Sequence, residues 1–381
     1  MKVAYLSHIC YSDVDISFIK HLKKDADIYY FLTLNNSTKA AAVNLGQDYL
    51  EPGIYPASDF PELSRFNHYI DIEKTYIISR AGKSVLHKII DTIKLIVFFI
   101  KHEIDVIHFT YELRFYEWPL FIFRNKLLMS VHDPFPHSSV ACNRFTNFYR
   151  KVSFKLSRNF ILFNQSQKED FINEYKLDSQ RVYDSILSAY TYLLLYNTNS
   201  NQYGEYILYF GTIHSHKGLE YLFPAFIDFQ KLHPNYKLIV AGKGDFYFDI
   251  NSYQDNDDII ILNRFIPDEQ LAELIYHSKF IICPYKDATQ SGVIMSAFAF
   301  AKPVIATNVG GLPEMVIHDK YGLIVPPCNY VLLSEAMHHL ASNPTLLNKY
   351  SSNINNDYIR GYKSWSHIAQ QMIKYYKAII Y

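Results

Sequence analysis

The chain has 381 residues, 49% of them hydrophobic and 19% charged, and its 37 basic side chains balance its 37 acidic ones. That apolar content suffices for two or three packed domains and excludes a disordered chain, while zero net charge removes any global electrostatic argument for a nucleic-acid partner. Four scattered cysteines (Cys10, Cys142, Cys283, Cys328), with no CxxC pair, fit reduced thiols in a cytosolic protein better than a disulfide framework or a zinc site.

In chain order, "MKVAYLSHICYS" opens with a short apolar run that reads as a first strand and not as a signal peptide. "DIYYFLTL", "VIHFT", "KLLMSVHD" and "NFILFN" are further strand candidates in the first half. The most apolar run, "LIVFFI" between Lys94 and Lys101, is far shorter than the roughly 20 residues of a spanning helix, so the expectation is a soluble or peripheral chain. After the polar stretch "NTNSNQYG" (Asn197 to Gly204) come "YILYFGT", "KLIVAGKG", "IIILNRF", "FIICPY", "PVIAT" and "GLIVPP". Several of these runs are apolar without alternation, as in parallel strands covered on both faces, and helical periods such as "DEQLAELIYHSK" separate them. This rhythm predicts an α/β protein of two Rossmann-like, doubly wound domains, 1–200 and 201–360, with a terminal helix over 361–381.

Ligands of such sheets bind beyond the carboxyl ends of the strands, and four loops there carry chemistry in the second domain. "YFGTIHSHKGLEYL" holds Gly211, Thr212, His214, His216 and Lys217 just before a helix start. Lys217 is either an anion ligand beside free N–H groups or a solvated lysine. "VAGKGDF" places Gly242 and Gly244 in a tight turn or a ligand loop, and the lack of a third glycine argues against a dinucleotide fingerprint. In "KDATQSGVIM", Thr289 and Ser291 either cap the next helix or stand, with Gln290 and Gly292, beside a bound phosphate. Glu314, after Gly310 and Gly311, either favours a helix dipole or accepts sugar hydroxyls.

Taken in order, "FGTIHSHKGLEYL", "LIVAGKGD", "RFIPDEQLAELIYHSKFIICPY", "SGVIMSAFAFAKPVIATNVGGLPEMV" and "YGLIVPP" resemble glycosyltransferase family 4, the retaining nucleotide-sugar transferases. In the first domain the match is thinner, mainly "VIHFT" and "SVHDPFPH". The resemblance implies a GT-B fold, two Rossmann-like domains facing across a cleft, with the terminal helix "WSHIAQQMIKYY" crossing back to the first domain. It implies that Lys217 neutralises the donor diphosphate, that amides near Ser291 and Gly292 hold the same phosphates, and that Gly211 lets the loop approach. His132 would sit close to the transferred sugar, with Asp133 beside it orienting the acceptor or the imidazole. The family commonly has two glutamates eight residues apart here, where this chain has Ala288 and Ser296, and an arginine where it has Thr212. The sequence is similar to a branch with a Thr-Gln-Ser-Gly donor loop, in which Asp287 or Glu314 would take a ribose or sugar contact.

The expected function is therefore transfer, with retention, from a nucleotide-sugar to a saccharide acceptor, with no cofactor and no obligatory metal. From Lys83 to Arg158 twelve Lys and Arg face six acids, a net +6 in a neutral chain, and "RFTNFYRKVSFKLSRNF" interleaves these cations with aromatics. That pattern suits either docking on an anionic inner leaflet or a helix with a buried aromatic face and a solvated basic one. With docking, the expectation is a lipid-linked acceptor and a cytoplasmic enzyme at the inner face of the plasma membrane, in bacterial surface polysaccharide (O-antigen or capsule) synthesis. A catalytically silent nucleotide or sugar binder is the alternative; an NAD oxidoreductase and a nucleic-acid binder are disfavoured.

Overall fold

Strand-length apolar runs separated by helical periods build two largely parallel sheets in a computed structural model. It describes residues 1–34, 37–80, 82, 84–132, 134–135, 144–165, 167–196, 198 and 200–380. The chain divides into two units, Met1–Leu187 with Trp365–Tyr381, and Ser188–Ser364. The second unit thus starts upstream of the polar stretch expected to link the domains.

The first unit contains β1 (Lys2–His8), β2 (Asp27–Leu34), the short antiparallel pair β3 (Lys39–Ala40) and β4 (Val43–Asn44), β5 (Gly53–Pro56), β6 (Thr75–Ser79), β7 (Val106–Phe109), β8 (Leu127–Val131), β9 (Asn159–Leu162) and β10 (Val182–Asp184). Among the described residues its main sheet has the order β10-β9-β8-β7-β1-β2-β6-β5, parallel except where β5 pairs with β6. Helices α1 (Ser12–Leu22), α2 (Val85–Lys101), α3 (Arg144–Leu156) and α4 (Lys168–Tyr175) intervene. The second unit has β11 (Tyr206–Phe210), α5 (Leu219–Gln230), β12 (Lys237–Ala241), α6 (Asn251–Gln254), β13 (Ile259–Leu262), α7 (Asp268–His277), β14 (Ile281–Cys283), α8 (Gly292–Ala299), β15 (Val304–Thr307), α9 (Leu312–Met315), β16 (Gly322–Val325), α10 (Tyr330–Ala341) and α11 (Pro344–Ile354). Its sheet, all parallel, runs β13-β12-β11-β14-β15-β16. Strands such as β8 and β11 are buried at every residue, which is why they read as continuous apolar runs.

The last helix, α12 (Trp365–Ile380), belongs to the first unit and packs on α1. Its buried positions, Trp365, Ile368, Ala369, Met372, Ile373 and Tyr376, follow the helical period, and Trp365 meets Phe18 with ring centroids 5.4 Å apart. Tyr376 bonds His108 Nδ1 at 2.7 Å, while Ser130 Oγ lies 2.7 Å from the other ring nitrogen. Burial lowers the His108 pKa to about 3, so this imidazole stays neutral and serves as a polar strut under the sheet.

Asp15, in the first turns of α1, is also buried, and accepts from Tyr5 Oη at 2.9 Å and Tyr30 Oη at 3.1 Å. Burial pushes its carboxyl up to about 7, against the pull of these hydroxyls. An unfolded aspartate titrates near 3.9, so between about pH 4 and 7 the folded state binds the extra proton and the stability contribution falls as pH rises. Equilibrium unfolding across that window should show wild-type protein losing stability relative to Asp15→Asn, by up to about 1.4 kcal/mol per pH unit. Parallel profiles for the two proteins would show that Asp15 carries no such linkage.

Candidate functional site

The order of the second sheet decides where a ligand fits. The chain builds outward from β11 to β13 and then returns to place β14 on the other side of β11. In sheets of this kind ligands bind beyond the carboxyl ends of the strands at such a reversal, where the loops leaving β11 and β14 lie. Those two loops carry Gly211 to Lys217 and Asp287 to Gly292.

Backbone contacts hold the loops together. The Lys286 N–H donates to the His216 carbonyl at 2.8 Å. Gly218 has φ +71°, and a Cβ there would stand 1.9 Å from the Pro284 carbonyl oxygen, so no other residue fits without moving the chain. Under the first loop, a Cβ on Gly242 would be 1.8 Å from the Gly211 carbonyl oxygen. Gly242 thus supports the Gly211 turn, whose N–H is bonded to the Ala241 carbonyl at 3.0 Å. Thr212 contributes its carbonyl, which accepts from Tyr209 Oη at 2.9 Å.

The side chains meet on Tyr285, a buried residue two positions past β14. The Lys217 ammonium lies 3.8 Å from the centroid of its ring, a cation–π contact, and burial lowers the pKa of this lysine. The Tyr285 hydroxyl is 3.4 Å from Ser291 Oγ. Ser291 occupies the N-cap position of α8, yet its side chain makes no capping bond to the first turn. Gly292 opens the helix opposite the Tyr190 ring, and Thr289 and Gln290 are half-buried just before it. Cys283 lies below this cluster, and burial holds its thiol up at about 12, so it stays neutral. Nearby, the two Nδ1 atoms of His214 and His216 are 2.9 Å apart, a contact that requires one ring to donate and the other to accept.

Two more predicted residues lie on the second unit. Asp287 is half-buried on the second loop, and Glu314 is exposed on α9. Ala288 and Ser296 are both buried. In the first unit, His132 follows β8 and is sandwiched between Tyr11 (4.3 Å, rings 7° from parallel) and Phe163 (4.8 Å). It lines a cavity of about 70 Å³ with Thr110, Glu112, Ser130 and Arg150. Arg150 Nε is paired with Glu112 at 3.0 Å. Asp133 lies outside the described residues.

Sequence reasoning missed Tyr285, which looked like the tail of an apolar strand, and Glu220. Glu220 accepts from Lys286 Nζ at 2.6 Å and from Tyr247 Oη, tying α5 to both neighbouring loops. The only available signal for Glu220 was an acid in the first turn of a helix, which ordinarily reports the dipole alone.

Residues 197–357 match the family model described as glycosyl transferases group 1. That span takes in the whole second sheet and both loops at its reversal. An uncharacterized glycosyltransferase of Methanocaldococcus jannaschii is 29% identical over 175 residues, 45% of this chain and 44% of that protein. The chain spans under half the length of the curated relatives it matches first. Similarity of structure extends further. Sucrose-phosphate synthase from Thermosynechococcus elongatus has a TM-score of 0.66 at 16% identity, covering 100% of this chain and 99% of its own. Anabaena HepE, in complex with UDP, has a TM-score of 0.66 at 14% identity, covering 99% and 100%. At such identities the likeness establishes the fold: two Rossmann-like α/β units of the GT-B kind.

Replacing Gly218 with alanine should displace the Pro284 segment and cost about 1–3 kcal/mol in urea unfolding. Near-wild-type stability would show that the loops are joined by something other than this close approach.

Proposed function

We propose that the protein is a group 1 glycosyltransferase that moves a sugar from a nucleoside-diphosphate donor to a saccharide acceptor. The observation that carries the reading is the convergence on Tyr285, at the sheet reversal, of Lys217 and an α8 N-terminus that Ser291 leaves without a side-chain cap. A partly desolvated ammonium beside backbone N–H donors suits a diphosphate, and the match of residues 197–357 supports the same assignment.

In this reading Lys217 and the N–H groups at Ser291 and Gly292 stabilise charge as it develops on the departing phosphate. The bond between the anomeric carbon and the phosphate oxygen breaks, the bond to the acceptor oxygen forms on the same face, and the acceptor proton passes to the leaving phosphate. Retention comes from the family resemblance. The step is assigned no metal and no separate cofactor. Gly211, Thr212, His214, Gly242, Thr289 and Gln290 shape the donor loops, Asp287 or Glu314 contacts ribose or sugar, and His132, with Asp133, serves the transferred sugar or the acceptor. The acceptor is assigned to the first unit and, given the basic face of α3 with exposed Lys151 and Lys155, to a lipid-linked saccharide of bacterial surface polysaccharide synthesis. Arg150 contributes less to docking, because Glu112 holds it. Among the described residues no helix is long and apolar enough to cross a membrane.

A silent nucleotide binder is the second reading, favoured by one observation: Ala288 and Ser296 stand, buried, where the resembled family carries acids. Two measurements separate the readings. Thermal unfolding with UDP, GDP, CDP and NAD should show a shift of several degrees with one nucleoside diphosphate and none with NAD. In a donor-hydrolysis or transfer assay, Lys217→Ala should lower kcat by more than about tenfold while the protein stays folded. Binding without turnover in wild type would favour the silent binder, and unchanged kcat in the variant would remove Lys217 from the chemistry.

A further inference from the structure

Helix α2 buries Asp91, Thr92, Leu95 and Phe99 against the first sheet's core, as an ordinary amphipathic helix would. Its opposite face is not polar. Leu86, Ile90, Ile93, Val97 and Ile100 are 65, 40, 49, 57 and 62% exposed. Their spacing of four, three, four and three residues sets them in one line along the helix, about 21 Å long at 1.5 Å per residue. An exposed aliphatic line of this length is rare on a surface that meets only water.

Charge along the helix is one-sided. Lys94 and Lys101 are exposed beside the line, at its shoulder. The single acid of α2, Asp91, is buried with its carboxylate 3.6 Å from Lys94 Nζ, so no exposed acid borders the line on this helix. The 3-10 segment Phe115–Phe123 packs against α2 and carries an exposed Ile122 of its own.

We infer that the outer face of α2 is an interfacial anchor that lies on an anionic bilayer surface. The aliphatic line enters the boundary between headgroups and acyl chains, and the lysines stay at the phosphates. A second copy of the chain fits the charges less well, because an antiparallel pairing of two such lines sets the Lys94 and Lys101 shoulder against itself. This surface is distinct from the basic face of α3, and its assignment does not rest on the transferase reading.

Cosedimentation of the full chain, without donor or acceptor, tests it. The probes are vesicles of phosphatidylcholine alone and of phosphatidylcholine with phosphatidylglycerol. Wild type should bind the anionic vesicles and keep a residual bound fraction in high salt. Ile93→Glu with Val97→Glu, both at exposed positions, should lower binding at least about tenfold at unchanged thermal stability, with the residual fraction gone. Lys151→Gln with Lys155→Gln should weaken only the salt-sensitive part. Wild-type protein that stays in the supernatant would overturn the inference. So would full binding by the α2 variant, or a vesicle-independent dimer in sedimentation velocity that the α2 variant abolishes. Nucleotide binding, measured on the same variants, reports separately on the transferase reading.

Discussion

The second unit depends on one backbone constraint: the loops after β11 and β14 must touch. The Lys286 N–H on the His216 carbonyl and the close pass of Gly218 over Pro284 achieve this with main-chain atoms, so the distance between the loops is set independently of their side chains. Once they touch, Tyr285 has a fixed place, and Lys217 and Ser291 reach it from opposite loops. Removing the contact would leave Lys217 on a solvated turn, where its charge would be screened. Glu220 reinforces the arrangement, because it engages Lys286 and Tyr247 at once and closes the loop set from the helix side.

The first unit solves a different problem. Its sheet buries several polar groups, and burial rather than any one partner governs the protonation of His108 and Asp15. His108 is neutral between Ser130 and Tyr376, and Asp15 sits under two tyrosine hydroxyls. Arg80 and Glu117, both nearly inaccessible, pair at 2.9 Å. Breaking such a buried pair from one side is costly, since the remaining charge keeps its desolvation penalty. In the same unit the His132 ring is held between Tyr11 and Phe163.

Much of the fold was legible because parallel strands covered on both faces are apolar throughout. "YILYF", "KLIVA" and "PVIAT" announced β11, β12 and β15 in this way. β6, "TYIIS", escaped because it is short and lies among polar turns, and the start of the second unit escaped because Ser188 to Tyr196 is too apolar to look like a boundary. In the site, glycines and hydroxyls at strand ends were visible as a pattern. Their partners were not, since Tyr285 and Glu220 lie on segments whose composition matches ordinary core and helix. The apolar line on α2 was equally hidden: "LIVFFI" shows hydrophobicity, and only the packing shows that Leu95 and Phe99 face inward while Val97 and Ile100 face out.

The sequence by itself determined the α/β rhythm, the two Rossmann-like units and the glycine-bearing loops at the strand ends, because periodicity and strand-end glycines are local properties of the chain. The tertiary structure alone decided which loops meet, which hydroxyl caps nothing and which face of a helix stays bare. Those outcomes depend on the order in which strands enter a sheet, and strand order joins residues as far apart as Lys217 and Tyr285 through contacts that no local pattern encodes.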